Sequence, residues 1–220
     1  FKILEEIRSS HGIDTIYCSK EVGWYEEEDE KKLINKNFEL IMSEDPHLIE
    51  ESELPFNQDD LPLIFTPFRK KVEKNSKIRN EVRELPIVNK AIVNTELKFL
   101  SKIEVNNIIN HSNTAYPFEG GEKNALERLK SYLWESHNIA KYKETRNGLI
   151  GTEYSSKFSA YLSTGSISPV TIYHEIKKFE REVKKNSSTY WLIFELMWRE
   201  FFRYVAKKGK KNIFMINGIN

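Results

Sequence analysis

Two stretches of the chain hold residues whose types and spacing could do chemistry. The first runs from Thr152 to Ser159 and crowds the hydroxyls of Thr152, Ser155, Ser156 and Ser159 around Lys157, where a helix is expected to begin. Hydroxyl donors, amides at a helix start and one cation suit a phosphate or pyrophosphate. The same residues would also serve as a Ser/Thr-rich helix cap. The second stretch is STYWLIFELMWREFFR, in which Trp191, Glu195, Trp198, Arg199 and Phe202 follow at spacings of 4, 3, 1 and 3. Those offsets put all five on or near one helical face. Stacking surface, acceptor and cation together suit a planar polar ligand such as a nucleobase. The competing reading is an i, i+4 ion pair between Glu195 and Arg199 on a half-exposed face, with both indoles in the core.

Other chemistries find less support. The five histidines (His11, His47, His111, His137 and His174) lie far apart, in no spacing typical of zinc ligands, so no metal site is expected. No nucleophile elbow, Walker loop or dinucleotide fingerprint occurs, and the two glycines of RNGLIG fit neither spacing. A net charge of +1 excludes strong non-specific attraction to nucleic acid through total charge, while 34 Lys and Arg leave room for a local basic patch. Cys18 is the single cysteine, which rules out an intrachain disulfide framework and fits a reducing compartment. No apolar run approaches the roughly 18 residues of a membrane span, so no membrane association is expected.

The elements that must position these residues divide into an α/β part and a helical part. Ile3, Leu4 and Ile7 recur at helical spacing, and His11-Gly12 ends that helix. Ile13 to Cys18 reads as a short buried strand, the acidic run Glu26 to Glu30 as the opening of a second helix, and Asn37 to Asp45 as a second strand. This alternation is the rhythm of a parallel sheet. From Pro46 to about Pro86, prolines 46, 55, 62 and 67 break the periodicity, which predicts a linker with short helical turns. RKKVEK within it reads as a solvated helix face. Leu97, Leu100, Ile103 and Ile108 then form one apolar stripe, and Ala125, Leu126, Leu129, Tyr132 and Leu133 another. Ser168-Pro169 predicts an N-cap with proline in the first turn, followed by the apolar face Ile172, Ile176, Phe179 and Val183. Asn186-Ser187-Ser188 separates that helix from the long one carrying Trp191 to Arg203. NIFMI near the end reads as a strand or turn.

The ordered run YKETRNGLIGTEYSSKFSAYLSTGSISP followed by STYWLIFELMWREFFR resembles the flavin-binding core of the photolyase and cryptochrome family. Upstream, ELPF, LPLIFTPFRKKVEK and FEGGEKNALERL resemble the DASH-type cryptochromes in particular. The resemblance covers residues 53 to 214. It implies residues 1–45 as the C-terminal part, a remnant, of a parallel-sheet α/β antenna domain, and residues 46–95 as an interdomain connector. Residues 96–220 would be the N-terminal part of a mainly α-helical FAD-binding domain.

The resemblance also implies roles. The family's YxxxR motif matches Tyr142, expected to contact the flavin nucleotide, and Arg146, expected to contact DNA phosphate. Its five-residue phosphate-cradling stretch matches Ser155, Ser156, Lys157, Phe158 and Ser159, with Lys157 standing where many relatives have Arg. Glu195 matches the carboxylate that hydrogen-bonds a pyrimidine dimer, Trp198 the indole packed against it, and Arg199 the cation at that pocket's edge. An aromatic found in several relatives three residues before the carboxylate is here Leu192, so Trp191 inherits no role. The implied activity is blue-light-driven repair of cyclobutane pyrimidine dimers by electron transfer from reduced FAD, a carbon–carbon lyase reaction preferring single-stranded DNA. A folate antenna, methenyltetrahydrofolate, is implied by the family alone, and a monomer is expected. Two other outcomes stand beside it: a flavin photoreceptor or regulator that binds nucleic acid without useful repair, and a fragment inactive by itself. The chain begins with Phe1 in what reads as mid-helix, so its true N-terminus is expected to be missing; because the family's helical domain extends beyond Asn220, the 220-residue chain is not expected to hold FAD firmly. A prokaryotic source would imply the cytoplasm.

Overall fold

The computed structural model describes residues 1–43, 47–82, 111 and 113–219. The expected stripe of Leu97, Leu100, Ile103 and Ile108 lies outside them.

The α/β part is helix α1 (Lys2–His11), strand β1 (Thr15–Ser19), helix α2 (Trp24–Asn35) and strand β2 (Glu39–Ser43). The two strands are parallel, in the register Thr15↔Glu39 to Ser19↔Ser43. Gly12 closes α1 in the left-handed region at φ 66°, where its missing Cβ removes the steric cost, and donates its N–H to the Arg8 carbonyl. β1 is not the buried strand expected, since Tyr17 is 77% exposed. Phe38 is buried beneath the Arg8 guanidinium, 4.6 Å from its ring centroid.

The helical part holds the core. Helix α3 (Phe65–Asn75) is followed, beyond residue 111, by α4 (Glu122–Lys130), a π turn (Ser131–Glu135) and a 3-10 turn (Asn138–Lys141). Then come the short helices α5 (Tyr142–Thr145) and α6 (Phe158–Ser163), and the long helices α7 (Pro169–Glu182) and α8 (Ser187–Gly209). α8 has 23 residues, roughly 35 Å of helix. It buries Leu192, Ile193, Leu196, Met197, Phe201 and Tyr204. Asn186 starts it with a capping box, accepting from the Ser188 and Thr189 N–H groups while Thr189 Oγ1 accepts from the Asn186 N–H. α7 starts as expected, with Ser168 Oγ accepting from Val170 N at 3.2 Å and Pro169 at the first helical position. Its buried face is Ile172, Ile176 and Phe179, whereas Val183 falls past the end and is exposed.

Two further expectations are corrected. Within the expected linker, the described residues 47–82 are more than short turns, because α3 runs 11 residues and buries Phe65, Phe68 and Val72 against α8. Leu48 and Ile49 join the same core at 0% exposure. Of the α4 stripe, Leu126 faces out, and the π turn carries Tyr132 and Leu133 inward instead. Of the two readings of NIFMI the turn holds, since residues Lys210–Phe214 make a 3-10 turn.

Candidate functional site

The cap of α8 also fixes the segment beside it. Asn186 Nδ2 donates to the Ala140 carbonyl at 2.7 Å, Ser188 Oγ accepts from Lys143 N at 3.1 Å, and the same hydroxyl donates to Glu144 at 2.7 Å. These bonds dock the turn carrying Tyr142 and Arg146 onto the first turns of α8. Arg146 thereby reaches Glu195, Nη1 to Oε1 at 2.5 Å, across 49 residues of sequence. The i, i+4 pair of the competing reading, Glu195 with Arg199, does not form: Arg199 instead pairs with Glu200 at 3.3 Å. Glu200 is fully buried, and it also accepts from Ile49 N at 3.4 Å and lies 3.5 Å from His47 Nδ1. Burial pulls the Arg199 pKa below the ordinary arginine value and Glu200 opposes that shift; a guanidinium remains charged under such conditions.

α8 has two working faces. One packs against α3, where Trp198 stacks on Phe65 with ring centroids 3.7 Å apart and planes at 12°. The other lines an open cleft of about 1530 Å³, larger than the ~300–1,000 Å³ of most small-ligand pockets. Leu192, Glu195, Leu196, Arg199, Phe202 and Arg203 form this wall. Tyr142, Ser156, Phe158 and Ser159 face it, and Ser19, Glu21 and Val22 of the β1 region and Arg79 to Val82 close the side. Arg203 bridges to Glu21 at 3.3 Å, tying the α/β part to the cleft.

The residues singled out from sequence are therefore brought together in part. Tyr142, Ser156, Phe158, Ser159, Glu195 and Arg199 share the cleft, and Arg146 joins it through Glu195. Ser155 and Lys157 do not line it. Lys157 adopts a left-handed backbone at φ 63°, and its ammonium sits over the Tyr154 ring, 3.7 Å from the centroid, bonded to the Tyr154 hydroxyl. Trp198 lies behind the wall on Phe65. Trp191, assigned no role, stacks on Phe194 at 4.9 Å and carries Lys143 and Arg146 over its ring at 4.8 and 5.4 Å.

Tyr142 is the most perturbed group on the cleft wall. Burial, reinforced by the nearby Glu195 carboxylate and opposed by Arg146, pushes its pKa up to about 12. At neutral pH it presents a protonated hydroxyl. Sequence reading missed Arg128, which is buried on α4 and bonds the backbone of the 152–156 loop. A signal existed, since Arg128 stands on the apolar stripe between Ala125 and Tyr132, where an unpartnered cation would be costly.

Donors from Ser156, Ser159 and Tyr142 with the Arg199 cation suit an anionic, nucleotide-sized ligand. Among the described residues no group of three or more His, Cys, Asp or Glu could hold a metal ion. Nor is any described helix long and apolar enough to cross a membrane.

No family model matches the chain. It is 40% identical over 179 residues to the cryptochrome DASH of Xenopus laevis, covering 78% of this chain and 34% of that protein. To the cryptochrome DASH of Synechocystis sp. it is 35% identical over 229 residues, covering 99% of this chain and 46% of the relative. The solved Synechocystis cryptochrome superposes with a TM-score of 0.79 at 34% identity, over 99% of this chain and 46% of that one. A class III photolyase from Agrobacterium tumefaciens superposes with a TM-score of 0.60 at 20% identity, over 94% of this chain and 43% of that one, a likeness of fold. The chain thus spans less than half the length of these relatives. Its sequence and fold together make it a member of the photolyase/cryptochrome family, DASH type.

Proposed function

We propose that the protein binds FAD in the cleft and uses it to repair pyrimidine dimers in DNA under blue light, with a preference for single strands. The observation that carries this reading is the shared cleft, where hydroxyls suited to a pyrophosphate face a helix bearing Glu195 and Arg199. Bound, reduced FAD excited by light would supply the electron that opens the cyclobutane ring and receive it back. The chain's residues bind and orient. Ser156 and Ser159 would donate to the phosphates, with Phe158 beside them. Arg199, held from behind by buried Glu200, would supply the countercharge from the opposite wall. The geometry favours Arg199 for that task over Lys157, whose ammonium is engaged by Tyr154. Tyr142, protonated at neutral pH, would donate a hydrogen bond to the nucleotide.

Glu195 would accept from the flipped base, and Arg146 would meet the flanking phosphate. Both roles require the Arg146–Glu195 pair to open, so the substrate would replace each partner. Flipping costs least for a damaged base in a single strand, which favours that substrate. The same ion pair supports a second reading: if nucleic acid leaves it closed, Glu195 never reaches the lesion and the protein binds without repairing. A blue-light assay on single- and double-stranded thymine-dimer oligonucleotides separates the two. Repair by the protein, lost in Glu195→Ala with FAD retained, is expected; flavin binding with no repair of either substrate favours the photoreceptor reading.

A further inference from the structure

Arg128 has no place in the reading above, yet its guanidinium is committed to the candidate phosphate loop. Its side chain is 3% exposed and lies over the Phe118 and Tyr132 rings at 4.7 and 4.9 Å. Nε donates to the Ser156 carbonyl at 3.1 Å, and Nη2 to the carbonyls of Thr152 at 2.9 Å and Ser155 at 3.1 Å. Nη1 bonds Glu153 Oε1 at 3.0 Å, and that carboxylate also accepts from Thr152 Oγ1 and Asn138 Nδ2. Four contacts of one guanidinium thus fall within residues 152 to 156.

In a trans peptide the carbonyl and the following N–H point to opposite sides. Drawing the Ser155 and Ser156 carbonyls toward Arg128 therefore turns the N–H groups of Ser156 and Lys157 away from it. A buried cation is tolerated only where such a bond set compensates its desolvation. Filling the space would need no planar fork of donors; fixing three carbonyl directions does.

We infer that Arg128 is a positioning residue for the anion site of the cleft: it fixes the backbone of residues 152–156 so that Ser156 and, just beyond it, Ser159 are held on the cleft wall for the pyrophosphate of a dinucleotide. The inference rests on reading Ser156 and Ser159 as donors to the cofactor's phosphates.

Arg128→Lys in the protein keeps a cation but removes the fork. Hydrogen exchange without ligand should show the amides of 153–157 exchanging about tenfold faster, with the α8 core unchanged. FAD affinity, followed by flavin fluorescence, should fall about tenfold, while affinity for riboflavin, which has no phosphate, changes less than about twofold. Wild-type exchange and FAD affinity in the folded variant would overturn the inference. So would an equal loss for FAD and riboflavin, which marks general loss of packing. If Arg128→Lys does not fold, Glu153→Gln weakens one arm from a half-exposed position. It should cost about threefold for FAD and nothing for riboflavin, and no change in exchange or affinity there overturns the inference as well. A wild type that binds no flavin, with the loop still loosened by Arg128→Lys, would refute the cofactor reading and keep Arg128 as the clamp of the loop.

Discussion

The Arg146–Glu195 pair shows how little a contact's strength says about its use. Both side chains are about 30% exposed, 31% and 30%, and pairs in such settings contribute no more than about 1 kcal/mol. Glu195→Gln should therefore move the urea midpoint by less than about 1 kcal/mol of stability while removing the charge that faces Tyr142. That second effect is readable by ultraviolet titration. The Tyr142 phenol, held at about 12, should titrate lower in Glu195→Gln because the carboxylate is one of the causes of its rise; an unmoved or rising midpoint would contradict the placement. Tyr116 is likewise raised to about 12, first by burial and then by Tyr161. A phenol whose folded pKa exceeds its unfolded value stabilises below the unfolded value and loses that contribution as pH rises through the folded one. Unfolding free energy should stay level up to about pH 10 and fall between about 10 and 12 as these groups ionise. A decline beginning near neutrality would count against it.

At the scale of elements, the site depends on α8 being pinned at its start and backed along one side. Asn186→Ala removes the capping box and the bond to Ala140, and should cost about 1–2 kcal/mol in thermal or urea unfolding. Phe68→Ala empties the fully buried contact between α3 and α8 and should cost about 3–5 kcal/mol; a loss under about 1 kcal/mol would mean α3 is not part of this core. Local signals made α1, both strands, α7 and α8 legible, since caps, apolar periods and the Ser-Pro start act within a few residues. α3 was obscured because Pro67 reads as a breaker. It stands third in the helix, where the N–H has no intrahelical acceptor to lose. The burial of Leu48 and Ile49 depends on contacts with α8 some 150 residues away, as in the Tyr204 hydroxyl bond to the Ile49 carbonyl, with a separation of 155. No local pattern carries that information. The face of α8 was legible as a set but not as a division: spacing grouped Trp198 with Glu195, and only the packing of Phe65 separates them.

Across the whole molecule, the cleft exists because regions distant in sequence meet. The 142–159 segment docks on the cap of α8, α8 turns its Glu195–Arg199 face toward it, and Glu21 draws the α/β part to Arg203. On the function proposed, this cleft is where FAD would bind. Hydrogen exchange with and without saturating FAD tests it directly. Protection of the amides of 155–159, together with slowed exchange in the 192–199 turns of α8, is the predicted footprint. FAD that binds while leaving both segments unchanged, or that protects a surface elsewhere, would contradict it.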